Sequence, residues 1–327
     1  MKPFRYIAAT GLLMTLTGVG SACAEVYPSQ PVKLVVGFSP GSTIDTVARI
    51  IGEGLTQRMG TTFVIDNKTG ANGAIAARTV AQAKPDGYTL LVSNSSSITV
   101  NPLLYSDLQY HPLKNFEPIS TVVSVPFVLA INPENKRTAA ISSLKDLVDA
   151  AAKQPGRVTY GSAGNGNLMH LAGAQLATMS KTEMVHVPYR GAAPMEAALL
   201  AGDIDYGFDT LSGVPLMKSG KLKPLAVSTK ERWRDLPDVP SVAEQGYPDF
   251  DISFWVGTFA PAGTPKDVVD RLNKEIAAVA NDPKFQKKLM LQGNILTQSP
   301  AGFIEKIRTE LDQNEQLIQR ANIKIDK

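Results

Sequence analysis

The stretch VKLVVGFSPGSTIDTVARIIGEGL, Val32–Leu55, decides the fold. An apolar run ends at a glycine, a Ser-Pro-Gly turn follows, and Val47, Ile51, Leu55 and Met59 then recur at four-residue spacing on one helix face. Ser42, Thr43 and Asp45 suit the cap and first turn of that helix. Its first backbone N–H groups have no intrahelical partner and sit at the positive end of the dipole, so the unit is a ready anion site. Many α/β domains carry such turns and bind nothing there, so both readings stand on this segment alone.

Outward from it, strands and helices alternate. Phe63–Asn67 reads as a second strand, Gly73–Lys84 as an Ala-rich helix, and Tyr88–Asn94 as a third strand after the turn Pro85-Asp86-Gly87. This βαβαβ start implies a parallel sheet with right-handed crossovers. A long apolar strand, Ile119–Ile131, leads into a second α/β run. Its strands are Val158–Ser162, Met184–Tyr189, Ile204–Asp209 and Leu222–Ser228, and its helices lie near Ser143–Lys153, Leu168–Met179 and Pro194–Leu200. Another long strand, Phe250–Pro261, follows. Two helices opened by Thr264-Pro265 and Ser299-Pro300 end the chain. The expectation is an α/β protein with two lobes, each a mostly parallel sheet flanked by helices, and a cleft between them. Residues 25–124 plus 250–327 form lobe 1, and residues 125–249 form lobe 2. The long strands cross between the lobes, and the last helices pack back onto lobe 1.

Residues 1–24 read as an export address. Lys2 and Arg5 form a basic start, Tyr6–Val19 is apolar but short for a bilayer span, and Ala22-Cys23-Ala24 fits a cleavage site. The alternatives are an uncleaved anchor and lipidation at Cys23. Cys23 is the single cysteine, so a chain cut after Ala24 has no thiols and no disulfides. Without Lys2 and Arg5, the 33 basic residues fall almost level with the 30 acidic ones. Charges are dispersed, and Lys284, Lys287 and Lys288 read as a solvated helix face, so nothing points to nucleic acid.

Four turns sit at the carboxyl ends of strands, where open α/β sheets bind ligands. They are Phe38–Thr43, Val92–Ser97 (with Asn94 and Ser95), Gly161–Asn167 (with Ser162, Asn165 and Gly166) and Pro188–Ala193 (with Tyr189, Arg190, Gly191 and Ala192). They are rich in hydroxyls, amides and glycine N–H groups and poor in acids and bases, which suits holding a carboxylate. The Gly164–Met169 loop fails as a dinucleotide fingerprint, because Met169 stands at the third glycine position. Three histidines, His111, His170 and His186, lack metal-ligand spacing, so no cofactor or metal is expected. A hydrolase could be composed from Ser162, His170 and Asp209, but Tyr160 replaces the first glycine of a nucleophile elbow. His170 reads better as a pocket-lining hydrogen bonder. Asp209 could accept a ligand ammonium or hold a loop. Arg190 could pair with a distal carboxylate or sit on a solvated rim. Trp255 reads as hinge or core, and Trp233, among Glu231, Arg232 and Arg234, as surface.

In order along the chain come Tyr27–Pro31, Phe38-Ser39-Pro40-Gly41, Asp66-Asn67 with Gly70 and Gly73, Pro85–Leu91, Gly161–Asn167 with His170-Leu171, Val185–Gly191, Phe208-Asp209, Leu225–Val227, Leu236–Pro240 and Ala260–Pro265. On these residues the sequence resembles the Bug family, the periplasmic solute receptors of tripartite tricarboxylate transporters, over essentially the whole chain after the leader. The resemblance implies a type II periplasmic-binding-protein fold that closes on its ligand like a Venus flytrap. It implies that a ligand carboxylate is held by Phe38, Ser39, Pro40, Gly41, Ser42 and Thr43, with Asp45 completing the motif and ordered water assisting. Second-lobe contacts would fall on Ser162, Asn165, Gly166, Tyr189, Gly191, Ala192 and Asp209. Two departures stand out: Ser42 replaces a second glycine, and Arg190 replaces a lysine. Ligands in the family include dicarboxylates, acidic amino acids and aromatic acids.

The chain is therefore expected to be a non-enzymatic periplasmic receptor for a small organic carboxylate, delivering it to the membrane subunits of a tripartite tricarboxylate-type transporter. Monomer is the default state. The rivals are an exported serine hydrolase using Ser162 and His170, and a protein presenting its ligand to a sensor kinase. Gly41→Pro is expected to abolish binding by removing one donor of the first turn while leaving the fold intact.

Overall fold

The structure is a computed structural model and describes residues 27–321 and 323; the leader, its cleavage position and Cys23 lie outside the described residues. The first part of the chain forms β1 (Val32–Val36), α1 (Thr43–Met59), β2 (Phe63–Asn67), α2 (Ala74–Ala81), β3 (Thr89–Asn94), a π-helical turn (Ser96–Val100), α3 (Asn101–Leu104) and β4 (Phe116–Pro126). The middle forms β5 (Val128–Ile131), α4 (Leu144–Lys153), β6 (Thr159–Ser162), α5 (Leu168–Ser180), β7 (Val185–Pro188), α6 (Ala192–Ala201), β8 (Tyr206–Asp209), α7 (Val214–Lys218) and β9 (Lys223–Val227). The last part forms β10 (Ser253–Pro261), α8 (Lys266–Asn281), α9 (Pro283–Met290), β11 (Asn294–Ile295) and α10 (Pro300–Arg320).

The strands make two sheets, ordered β11-β4-β10-β3-β1-β2 and β7-β6-β8-β5-β9. β1, β2 and β3 pair in parallel, as their βαβαβ order requires. So do β6, β7 and β8. The remaining pairs, which involve β4, β10 and β11 in one sheet and β5 and β9 in the other, are antiparallel. Each sheet is therefore mixed rather than mostly parallel. The strands that enter or leave a sheet from the other half of the molecule run against the βαβ strands they join.

The expected strand Ile119–Ile131 is two strands. It breaks at Phe127, just after Pro126, which has no N–H to continue a ladder. β4 belongs to the first sheet and β5 to the second. The buried stripe of α1 (Val47, Ile51, Leu55) lies on β1–β3 in the main core. A second core gathers Trp255, Phe259, Phe303 and Ile307 between β10 and α10. Trp255 belongs to it, edge-on to Phe303 with ring centroids 4.8 Å apart, and donates Nε1–H to both carboxylate oxygens of Glu310 at 2.9 Å. Trp233 is not on the surface; it is buried, while its neighbours Arg232 and Glu244 pair outside it at 3.0 Å. The polar flanks hid an inward-turned indole. Lys284 and Lys288 do sit on an exposed helix face, both reaching Glu53 of α1.

Candidate functional site

The first turn is built by its own side chains. Ser42 caps α1: its hydroxyl accepts Asp45 N–H at 3.3 Å, and its N–H reaches the Ser39 carbonyl at 3.1 Å. Gly41 has φ +83°, a left-handed conformation that suits glycine, and its N–H donates to Asp45 Oδ2 at 2.9 Å. The N–H of Gly41 is therefore already used, and proline cannot adopt its φ. Gly41→Pro would wreck the turn rather than test it. The first two N–H groups of the helix, those of Thr43 and Ile44, have no partner among the described residues. Ser39 and Pro40 are exposed. Phe38 is half-buried, and its carbonyl accepts Asn67 Nδ2 at 3.0 Å.

Asp45 is not placed to meet a ligand. It is buried and takes hydrogen bonds from Gly41, Arg49 and Asn67. Burial alone would raise its pKa, but those hydrogen bonds together with the Arg49 charge hold it below the ordinary carboxylate value. Arg49 and Asn67 hold this turn through Asp45, and the sequence reading did not single them out for it. The i,i+4 spacing of Asp45 and Arg49 was a usable signal. Asn67 arrives through the β1–β2 register, which pairs Val36 with Asn67.

The Val92–Ser97 turn folds inward. Asn94 Oδ1 accepts both the N–H and the hydroxyl of Ser97 at 3.2 Å, starting the π-helical turn. The hydroxyls of Ser93 and Ser95 are buried without a partner among the described residues. Asn94 and Ser95 are both buried, Asn94 spending its amide oxygen on Ser97.

The second sheet brings its predicted residues to one edge. β6 pairs with β7 and β8 so that Ser162 lies opposite Pro188 and Gly161 opposite Gly207, which carries Tyr189 and Asp209 to the same end. Tyr189 N–H donates to the Ser162 carbonyl at 2.9 Å. Ser162 is fully buried, and its hydroxyl contacts His186 Nε2 at 2.6 Å, Gly164 N at 3.1 Å and the Gly164 carbonyl at 2.9 Å. One hydroxyl can satisfy all three by donating to the carbonyl and accepting from the other two. In that arrangement His186 is the Nε2–H tautomer. His170 stacks on His186 with centroids 3.6 Å apart, and its Nδ1 accepts Gly166 N–H at 3.2 Å. Burial lowers the pKa of His170 to about 4; burial and the neighbouring His170 lower that of His186 to about 3, so both rings are neutral near pH 7.

The expected Ser162, His170 and Asp209 triad is not assembled among the described residues. Ser162 is paired with His186 rather than His170, and in the Nε2–H tautomer His186 donates to the serine, the reverse of a general base. Asp209 joins neither ring. It is fully buried, its Oδ1 accepts Thr210 N–H at 2.7 Å, and its Oδ2 has no partner among the described residues. Burial, reinforced by the nearby Glu196 carboxylate, raises its pKa well above the ordinary aspartate value. Asn165 and Arg190 are exposed. Gly191 precedes α6 with φ +125°; behind it Ala192 and Ala193 present free N–H groups, while Pro194 has none to offer. No hydrogen bond joins the first-sheet turns to the second-sheet turns among the described residues.

Two mixed sheets flanked by helices, each with a helix N-terminus open at a carboxyl edge, are the frame of a periplasmic binding protein. The chain belongs to the tripartite tricarboxylate transporter family of receptors, whose family description matches residues 47–323. It is similar to Rpa4515 of R. palustris, solved with adipate: 33% identity, TM-score 0.83, covering 91% of this chain and 99% of that one. It is similar to the periplasmic binding protein BugD at 34% identity and TM-score 0.79, over 91% of this chain and 99% of that one. It is also similar to MatC of Rhodopseudomonas palustris, solved with malate, at 29% identity and TM-score 0.78, over 89% and 100% of the two chains. Members of this family are solute-binding receptors, which is the Bug-type membership the sequence motifs implied. No described helix is long and apolar enough to cross a membrane.

Proposed function

We propose that the chain is an exported receptor that captures a small organic dicarboxylate between two lobes, residues 25–124 with 250–327 and residues 125–249, and passes it to a tripartite tricarboxylate-type membrane transporter. One observation carries the reading: two helices, one on each sheet, open with two unpartnered N–H groups each, Thr43 and Ile44 on α1 and Ala192 and Ala193 on α6. One carboxylate at each N-terminus satisfies all four and meets two helix dipoles. Adipate and malate, held by two relatives, are both dicarboxylates. A ligand touching both lobes binds their closed arrangement better and shifts the population toward it.

The test is a thermal-shift screen of mono-, di- and tricarboxylates, adipate and malate included. A binder raises Tm with concentration by mass action on the folded state. Dicarboxylates should outrank monocarboxylates of equal length by about tenfold or more in Kd. Thr43→Pro then removes one donor cleanly. Proline is favoured at the first helical position, and Ser42 already has the extended backbone (φ −66°, ψ 160°) that a following proline requires. Unchanged affinity in Thr43→Pro would remove the first turn from the site.

A further inference from the structure

A buried acid sits against the turn proposed to hold an acid. The Asp45 side chain is only 2% exposed. An uncompensated negative charge there would oppose a ligand carboxylate at close range. Its surroundings take that charge up. Arg49, one turn along α1, grips both oxygens, Nε to Oδ2 at 2.9 Å and Nη2 to Oδ1 at 3.0 Å. Asn67, at the end of β2, donates to Oδ1 at 2.8 Å and also to the Phe38 carbonyl at 3.0 Å. Gly41 N–H closes the ring on Oδ2. The chain is thus tied to Asp45 on both sides of Pro40. The other charged pair nearby, Lys33 with Asp66 on the adjoining strands, is closed on itself at 3.8 Å.

We infer that Arg49 and Asn67 are positioning residues of the carboxylate turn: they cancel the Asp45 charge and fix the Phe38 carbonyl and the Gly41 N–H, so that the Thr43 and Ile44 N–H groups face an acid across a neutral wall. This rests on the reading of that turn as a carboxylate site. Arg49 itself is half exposed, its side chain keeping 53% of its accessible surface. Its loss leaves no cavity, so a purely structural role predicts little change in affinity and no change in its pH dependence.

Three variants separate the possibilities: Arg49→Met, Arg49→Lys, and Arg49→Met combined with Asp45→Asn. The probe is whichever of adipate and malate binds the unaltered chain more tightly, titrated calorimetrically from pH 8 to pH 5.5. Arg49→Met is expected to weaken binding at pH 8 by on the order of tenfold and to recover as the pH falls and Asp45 takes up a proton. Arg49→Lys keeps the charge and should follow the unaltered pH profile. The double variant removes both charges and should bind within about threefold of the unaltered chain at pH 8. Carbon-13 titration of the Asp45 carboxyl, done without ligand, should show its pKa rising in Arg49→Met. Equal affinity in Arg49→Met at both pH values overturns the inference. So does a loss that neither lower pH nor Asp45→Asn repairs. If the carboxyl titration moves but neither adipate nor malate binds the unaltered chain, the clamp stands and the carboxylate reading of the turn falls, taking the positioning role with it.

Discussion

Phe127 donates its backbone N–H to the hydroxyl of Ser228 at 2.8 Å, and Ser228 in turn donates that hydroxyl to the carbonyl of Ile252. The backbone of Ser228 repeats the pattern, its N–H meeting Phe127 O and its carbonyl meeting Ile252 N, both at 2.9 Å. Phe127 is where the chain passes from β4 to β5, and Ile252 lies just ahead of β10 on the way back. One buried serine therefore knots both passages between the sheets. Ser228→Ala would strand a buried N–H and a buried carbonyl together. It is expected to lower unfolding free energy by about 1–3 kcal/mol, read from urea denaturation. A cost under about 0.5 kcal/mol would mean that the backbone bonds alone hold the knot.

Gly54 on α1 faces Val279 on α8. A Cβ at Gly54 would lie 2.4 Å from Val279 Cγ1 and 2.7 Å from Cγ2. Gly54→Ala gains up to about 1 kcal/mol of helix propensity but overpacks a buried contact at a cost of about 1–3 kcal/mol. The clash should win, so Tm falls. Adding Val279→Ala relieves the contact, and the pair should be less unstable than the sum of the two single variants. Simple additivity would show that the helices part freely at this point.

The parallel part of each sheet was legible because apolar runs and glycine turns recur with fixed spacing, as in Val32–Leu55. The antiparallel part was not. Nothing local in Ile119–Ile131 says that its two ends join different sheets; only the missing donor at Pro126 hints at the break. The site shows the same division. Caps and turn glycines such as Ser42 and Gly41 could be read from the sequence. Which N–H groups remain open could not, because Asp45 consumes the one on Gly41 from four residues away. Long-range partners were invisible: Asn67 reaches Asp45 through strand register, and His186 reaches Ser162 through the β6–β7 pairing. Trp233 misled because charged neighbours on a turn say nothing about which way its middle residue points.

The stacked histidines make stability depend on acid. Burial depresses both pKa values, to about 4 for His170 and about 3 for His186, below the ordinary histidine value. A group whose folded pKa is depressed contributes stability that is complete above its unfolded pKa, near 6.5, and lost as the pH falls toward its folded value. Tm should therefore drop between about pH 6.5 and pH 4. His186→Gln keeps an N–H able to reach Ser162 but cannot take up a proton. It should show a shallower decline over that range than the unaltered chain, measured by circular dichroism melts. Parallel declines would mean that other groups set the acid limit.

Asp209 should act in the opposite sense. Its folded pKa is raised by burial and by Glu196, so its neutral form is favoured inside the protein. A carboxyl with a raised folded pKa contributes stability that is complete below its unfolded pKa and is lost as the pH rises through the folded value. At pH 8 the charged form is a burden, because the carboxyl is buried, Glu196 lies close by and Oδ2 has no partner among the described residues. Asn in its place keeps an oxygen for the N–H of Thr210 and has no charge to desolvate. Asp209→Asn should therefore raise Tm at pH 8 and change it little at pH 4. The same substitution bears on the ligand, since a charged Asp209 repels a carboxylate and a neutral side chain with an N–H can donate to one. Dicarboxylate affinity at pH 8 should hold or improve in Asp209→Asn. A tenfold or greater loss there would show that the ionised carboxylate itself is needed, as it would be for a ligand that brings an ammonium group.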